Sequence, residues 1–253
     1  MYLDEQELFD LRRSLETIRD IVRFLQKSDD DEEEGTSPYP CLKRLAGDIT
    51  VFPQLIAKIN GILSPYGKIK DNASTELARI RRELASTMGS ISRSLNSILR
   101  NAQSEGVVDK DVTPTMRDGR LVIPVAPALK RKIRGIVHDE SASGKTVFIE
   151  PAEVVEANNR IRELEGDERR EIIRILTGFS NQLRPSIPDV LLSYEFLAEI
   201  DFIRAKALFA EQISGLKPAL ENKQLLDWTM AVHPLLQLSL AKHGKKSYRL
   251  TSN

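Results

Sequence analysis

The sequence predicts a mainly α fold with a small β insert, in which long helical levers and a coiled arm carry a β-rich segment. Apolar residues recur three and four apart through several long stretches, the signature of helices with one buried face. Between two of those stretches, residues 117–151 hold three runs rich in β-branched residues, Leu121–Val125, Ile133–Val137 and Val147–Ile149. Aromatic residues make up only 6% of the chain, and 13 Gly and 12 Pro in 253 residues are modest, which argues against a β-sandwich.

Taken in order, the first helix is marked by Leu8, Leu11, Leu15, Ile18, Val22 and Leu25, a narrow seam on one face. It runs into an acidic stretch, Ser28–Gly35. Such a stretch could imitate nucleic acid or hold a metal, but self-repelling charge reads more simply as a solvated loop. Pro53 is placed to open a short helix within a mixed segment, and Ser64-Pro65-Tyr66-Gly67 reads as a turn. Asp71 or Asn72 is positioned to cap the next helix, whose stripe is Leu77, Ile80, Leu84, Met88, Ile91, Leu95, Ile98 and Ala102, with Gly106 ending it. At about 1.5 Å per residue that helix is some 50 Å long. Its opposite face carries Arg79, Arg81, Arg82, Arg93 and Arg100 and reads as an ordinary helix surface.

After the β runs, Pro151 is expected to open a helix reaching about Leu183. Its middle, Asn158–Glu171, is polar nearly all round, which predicts a solvent-bridging helix steadied by acid–base pairs. One long helix going out and one returning make an arm with the β insert at or near its tip. Pro185 and Pro188 interrupt the pattern, and a last helix to about Ile213, apolar on most faces, is expected to be a buried spine. Trp228–Leu236 reads as β-like, the start of a unit that the sequence does not complete.

Bulk properties exclude several function classes. Lys+Arg and Asp+Glu both number 37, so a case for nucleic acid must rest on local patches. The single cysteine, Cys41, allows no intramolecular disulfide and no thiolate-cluster zinc site, and fits a reducing, cytoplasmic setting. No apolar run approaches the roughly 20 residues of a membrane helix, and no signal peptide is expected, so no membrane partner is predicted.

The motif-like Ser143-Gly144-Lys145-Thr146 resembles the end of a phosphate loop. That loop needs a glycine at 139, where this chain has Asp139, and must lead into a helix, whereas Val147–Ile149 reads as a strand. Residues 139–145 are therefore expected to be a polar hairpin connection with Gly144 at its turn. His138 beside Asp139, with Ser141 after it, lacks an oxyanion element and a second base; a hydrogen-bonded histidine at a strand end is the better reading. Glu150-Pro151 reads as a helix entry, and His233 as part of the strand before Pro234. The basic cluster Lys130, Arg131, Lys132 and Arg134, with Lys145 at the hairpin, is the best local candidate for phosphate contacts. The alternative is a solvated edge whose lysines block unwanted strand pairing.

The segment RDGRLVIPV…KIRGIVHDESASGKTVFIEPAEVVEANNRIRELE strongly resembles the second bacterial type of MutS protein (MutS-II), homologues of mismatch-repair MutS that lack the mismatch-reading and connector domains. The later AVHPLL looks like the ARHPLL-type strand that opens the MutS ATPase domain. The likeness is dense over residues 117–165 and near 231–236, and the remaining helices fit in order and length.

What the resemblance implies is a division into core or lever helices at 1–71, a clamp arm at 72–183 with its β insert at 117–150, returning lever helices at 184–225, and the start of an ATPase domain at 226–253. It implies a parent that is a homodimeric, DNA-binding ATPase restraining homologous recombination, with nicking activity. The family's phosphate loop, ATP and Mg, and any nuclease-like domain would lie outside this chain, which by itself should be no enzyme and hold no cofactor. Duplex or branched DNA is the implied partner, through Lys130, Arg131, Lys132, Arg134 and Lys145. The alternative is an interaction and transmission scaffold, or an arm gripping RNA or a ribosome.

Overall fold

The computed structural model describes residues 1–27, 39–224, 227 and 231–244. The acidic run Ser28–Gly35 and Trp228–Met230 lie outside them. Seven α-helices and four strands are formed by the described residues: α1 Glu5–Gln26, α2 Pro40–Leu45, α3 Pro53–Ile62, α4 Thr75–Ser104, β1 Thr115–Arg117, β2 Arg120–Val125, β3 Gly135–Glu140, β4 Val147–Pro151, α5 Val155–Leu183, α6 Ile187–Gln212 and α7 Pro234–Lys242. The expected class, mainly α with a small β insert, is the one found. Two compact units divide the chain, residues 1–17 with 52–187 and residues 18–51 with 188–253. No described helix is long and apolar enough to cross a membrane.

In the first unit α4 and α5 run antiparallel beside each other, and both long helices are legible in the sequence. Ser74 caps α4, its hydroxyl accepting from Leu77 N at 2.9 Å. The cap is thus neither Asp71 nor Asn72: Asp71 is drawn instead to Arg81. Ile91, Leu95, Leu99 and Ala102 of α4 pack with Ile123, Val125, Val147 and Ile149 of the sheet and Ile161 of α5 into one core. Each fully buried Leu or Ile there contributes about 1.5–3 kcal/mol.

The polar middle of α5 does not bridge solvent, because Ile161 and Leu164 are buried. Ion pairs flank that apolar seam: Arg81 Nε with Glu168 at 2.7 Å and Arg160 with Glu83 at 2.6 Å, while Ser74 donates to Glu171 at 2.6 Å. Polar composition masked a narrow apolar stripe whose neighbours on either side are matched to α4. In the same unit Arg12 donates to the carbonyls of Ser64 and Pro65, at 3.0 and 3.2 Å, and fixes the expected turn at 64–67.

The sheet is antiparallel, in the order β1-β2-β4-β3. β1 is an addition to the three expected runs. Asp118 and Gly119, both at positive φ (46° and 73°), make the two-residue turn that joins β1 to β2, a strong hairpin signal that run-by-run reading passes over. The expected middle run is shifted: β3 starts at Gly135, and residues 127–132 form a 3₁₀ turn instead. Pro127 opens that turn, its fixed φ suiting the first helical position.

In the second unit Ile18, Val22 and Leu25 of α1 pack with Ala46 and with Phe196 of α6. α6 is not the buried spine its composition predicts. Of its residues only Val190, Ser193 and Phe196 are buried, while Leu191, Leu192, Phe202, Leu208 and Phe209 are exposed. Apolar side chains all round a helix do not by themselves supply neighbours to cover them. Pro185 and Pro188 are accommodated in a 3₁₀ turn at Arg184–Ser186 and the first turn of α6. Nor is Pro234-Leu235-Leu236 a strand: Pro234 opens α7, and His233 stands at its N-cap.

Candidate nucleic-acid interface

Five cations predicted to meet phosphate fall on two neighbouring features of the insert. Lys130, Arg131 and Lys132 occupy the 3₁₀ turn, and Arg134 follows immediately before β3. Lys145 stands at the end of the β3–β4 connection. There Ser141 N bonds Thr146 O at 2.8 Å and Gly144 adopts φ +66°, so the Gly-Lys-Thr sequence turns a hairpin into a strand and leads to no helix. Its backbone cannot form the phosphate cradle that requires a helix N-terminus.

All five side chains are exposed, and none is within ion-pair distance of a carboxylate among the described residues. Several arginines of the long helices differ, although Arg82, Arg93, Arg100, Arg162 and Arg169 likewise form no ion pair among the described residues. Arg79 bonds Glu76 and Glu83, Arg81 bonds Asp71 and Glu168, Arg160 bonds Glu83 and Glu163, and Arg174 bonds Glu171. Their charge is neutralised locally, as an ordinary helix surface requires. The insert therefore concentrates unpaired positive charge in a short segment, four cations within residues 130–134 and a fifth at 145.

Around Lys132 and Arg134 the surface dips into a cleft of about 250 Å³, shared with Asn101 and Glu105 near the end of α4 and with Glu153. Lys145 borders a second cleft of about 240 Å³, together with Leu129 and residues 106–109. Both clefts touch the segment just after α4, so the basic turn and the hairpin end lie about one structural feature.

Behind this surface sits Glu150, expected to mark a helix entry. Glu150 is no helix entry; it lies within β4, fully inaccessible to solvent. Arg120 donates to both its oxygens at 2.7 and 2.9 Å, Asn158 Nδ2 donates at 2.8 Å, and His138 Nε2 is bonded to Oε2. Burial, the largest influence, pushes the Glu150 pKa up. The bonds from Asn158, His138 and Arg120, with the charge of Arg120, outweigh it and hold the carboxyl below the usual glutamate range. Arg120 also reaches Asn159, and Asn158 exchanges bonds with the Leu121 backbone. One carboxylate thereby ties β2, β3 and β4 to α5. His138 is accordingly a structural, hydrogen-bonded histidine, and no metal cluster exists among the described residues. The signals for this node were an acid within an apolar strand and a paired Asn158-Asn159 on a helix, neither sufficient alone.

β3 carries a further constraint. A Cβ at Gly135 would overlap the carbonyl of Glu150, so the strands approach too closely there for any side chain.

No family model matches the chain. Curated relatives do. An "Endonuclease MutS2" of Pelotomaculum thermopropionicum is 37% identical over 235 residues, covering 93% of this chain and 29% of that protein. One of Finegoldia magna is 37% identical over 235 residues, with the same shares. A third, from a Geobacillus species, is 33% identical over 234 residues, or 92% of this chain and 29% of that protein. The chain thus spans less than a third of the length of the curated relatives it matches. Over that span the chain matches these relatives as a fragment of a MutS2 protein.

Proposed function

We propose that this chain is the lever and clamp region of a MutS2-type homodimeric ATPase acting in DNA repair and the control of recombination, and that its β insert grips the DNA backbone. The relatives' shared name, an endonuclease of the MutS2 type, supports the setting. In this reading residues 72–183 are the clamp, residues 1–71 and 184–225 the lever, and residues 226–253 the beginning of the ATPase domain. ATP, Mg and strand cleavage belong to other parts of the parent, and this chain contributes binding without hydrolysis.

One observation carries the DNA reading: Lys130, Arg131, Lys132, Arg134 and Lys145 are exposed and form no ion pair within one short insert, whereas the unpaired arginines of the long helices are spread along α4 and α5. Uncompensated cations attract phosphate through counterion release, without regard to sequence. Exposed aromatic rings are not interleaved with these cations, so backbone contact is favoured over base stacking. The buried ties of Glu150 to three strands and a helix favour a second role, in which the insert and the long helices move as one lever and transmit nucleotide state. Competition binding separates the two. Labelled four-way-branched DNA should be displaced by unlabelled branched DNA before linear duplex or structured RNA. Displacement by RNA first would redirect the site to an RNA partner, and absence of binding to all three would leave the transmission role.

A further inference from the structure

We propose that the exposed edge of β3 is a self-association surface on which a second copy of this chain pairs antiparallel, Arg134 of each copy facing Glu140 of the other. The pairing stands on the strand itself; only its competition with DNA, described below, rests on the function proposed above.

β3 is the outermost strand of the sheet, bonded to β4 along one edge and to no described strand along the other. Such an edge presents a row of backbone donors and acceptors that can template another strand. Two consecutive side chains on it, Ile136 and Val137, are each 48% exposed. One end of the segment is cationic, with Lys130, Arg131, Lys132 and Arg134, and the other acidic, with Asp139 and Glu140. Neither Arg134 nor Glu140 belongs to an ion pair among the described residues, and the Asp139 carboxylate accepts from the Glu140 amide.

A charge gradient along an open strand is self-complementary only when the second strand runs the opposite way. A two-fold axis at Val137 sets Arg134 against Glu140 twice, whereas parallel pairing would set like on like. The register irregularity between Val137 and Asp139 keeps the ladder short. The contact is therefore weak and governed by side-chain charge. Because it is isologous, it closes at a dimer. The same cations that meet the second copy's acids are those assigned to phosphate, so DNA and the second copy compete for them.

Sedimentation velocity over a concentration series at low salt tests the pairing, using the 253-residue chain and its Arg134→Glu, Glu140→Arg and doubly reversed forms. Each single reversal should weaken dimerisation by about tenfold or more, since two pairs turn repulsive at once, and the double reversal should restore it to within about threefold. Val137→Lys should abolish it without changing the thermal midpoint. A wild-type chain that stays monomeric to about 0.2 mM overturns the proposal. So does a dimer indifferent to the single reversals, as the exposed apolar residues of α6 would give, or a double reversal that fails to restore it. Charge-controlled dimerisation in a chain that ignores DNA would contradict the proposed function and leave the pairing standing.

Discussion

Arg120 on β2 meets Glu150 on β4 with one guanidinium nitrogen 2.7 and 2.9 Å from the two carboxylate oxygens. The carboxylate is inaccessible to solvent, and Asn158 and His138 complete its bonds. A buried charge is tolerated only when paired and fully hydrogen-bonded, so the arrangement stands or falls as a unit.

Removing the charge should therefore be costly even though shape is kept. Glu150→Gln leaves Arg120 facing a neutral amide and should lower unfolding stability by about 3–5 kcal/mol in urea denaturation. The m-value should be unchanged, since the fold and its buried surface persist.

The same residue sets a pH dependence. Its folded pKa lies below the ordinary value of 4.5, so the folded state binds fewer protons there than the unfolded chain. The contribution is present above about pH 4.5 and is lost as pH falls below it through the folded value. Thermal midpoints of wild type and Glu150→Gln should converge as pH drops through that window, and a constant difference would contradict the assignment.

A strand contact gives a second stability test. Gly135→Ala drives a methyl into the Glu150 carbonyl and should separate β3 from β4, with loss of amide protection in residues 135–140 before the rest of the sheet.

The α4–α5 pair separates packing from surface charge. Leu164→Ala, at a fully buried position, should cost about 2–5 kcal/mol. Arg160→Ala removes one part-buried and one exposed ion pair and should cost only about 1 kcal/mol or less.

Much of this architecture is legible in the sequence where a period survives. The seam Leu8–Leu25 and most of the α4 stripe are buried as their spacing demands, although Leu84, Met88 and Ile98 are only partly covered and Leu99 takes a place the stripe omitted. The Asp118-Gly119 turn was readable from its dipeptide alone. The Glu150 node was not, because Arg120 lies 30 residues from it and the other partners 8 and 12, a convergence only the folded sheet creates. The exposure of α6 was equally hidden: apolar composition states what a surface prefers, not whether this chain covers it. At the candidate interface the cations could be named, but the pairing that neutralises Arg79, Arg81, Arg160 and Arg174 and leaves Lys130, Arg131, Lys132, Arg134 and Lys145 without one appears only in three dimensions.

Backbone contact by the insert can be measured by fluorescence-anisotropy binding to linear and four-way-branched DNA across a salt series. Wild type should be compared with a variant in which Lys130, Arg131, Lys132 and Arg134 are all changed to glutamine. If each cation meets a phosphate, the slope of log K against log salt should become shallower by about 3–4 on replacing the four, while the fold is retained. An unchanged slope and affinity in that variant would contradict the account and move DNA contact elsewhere in the chain.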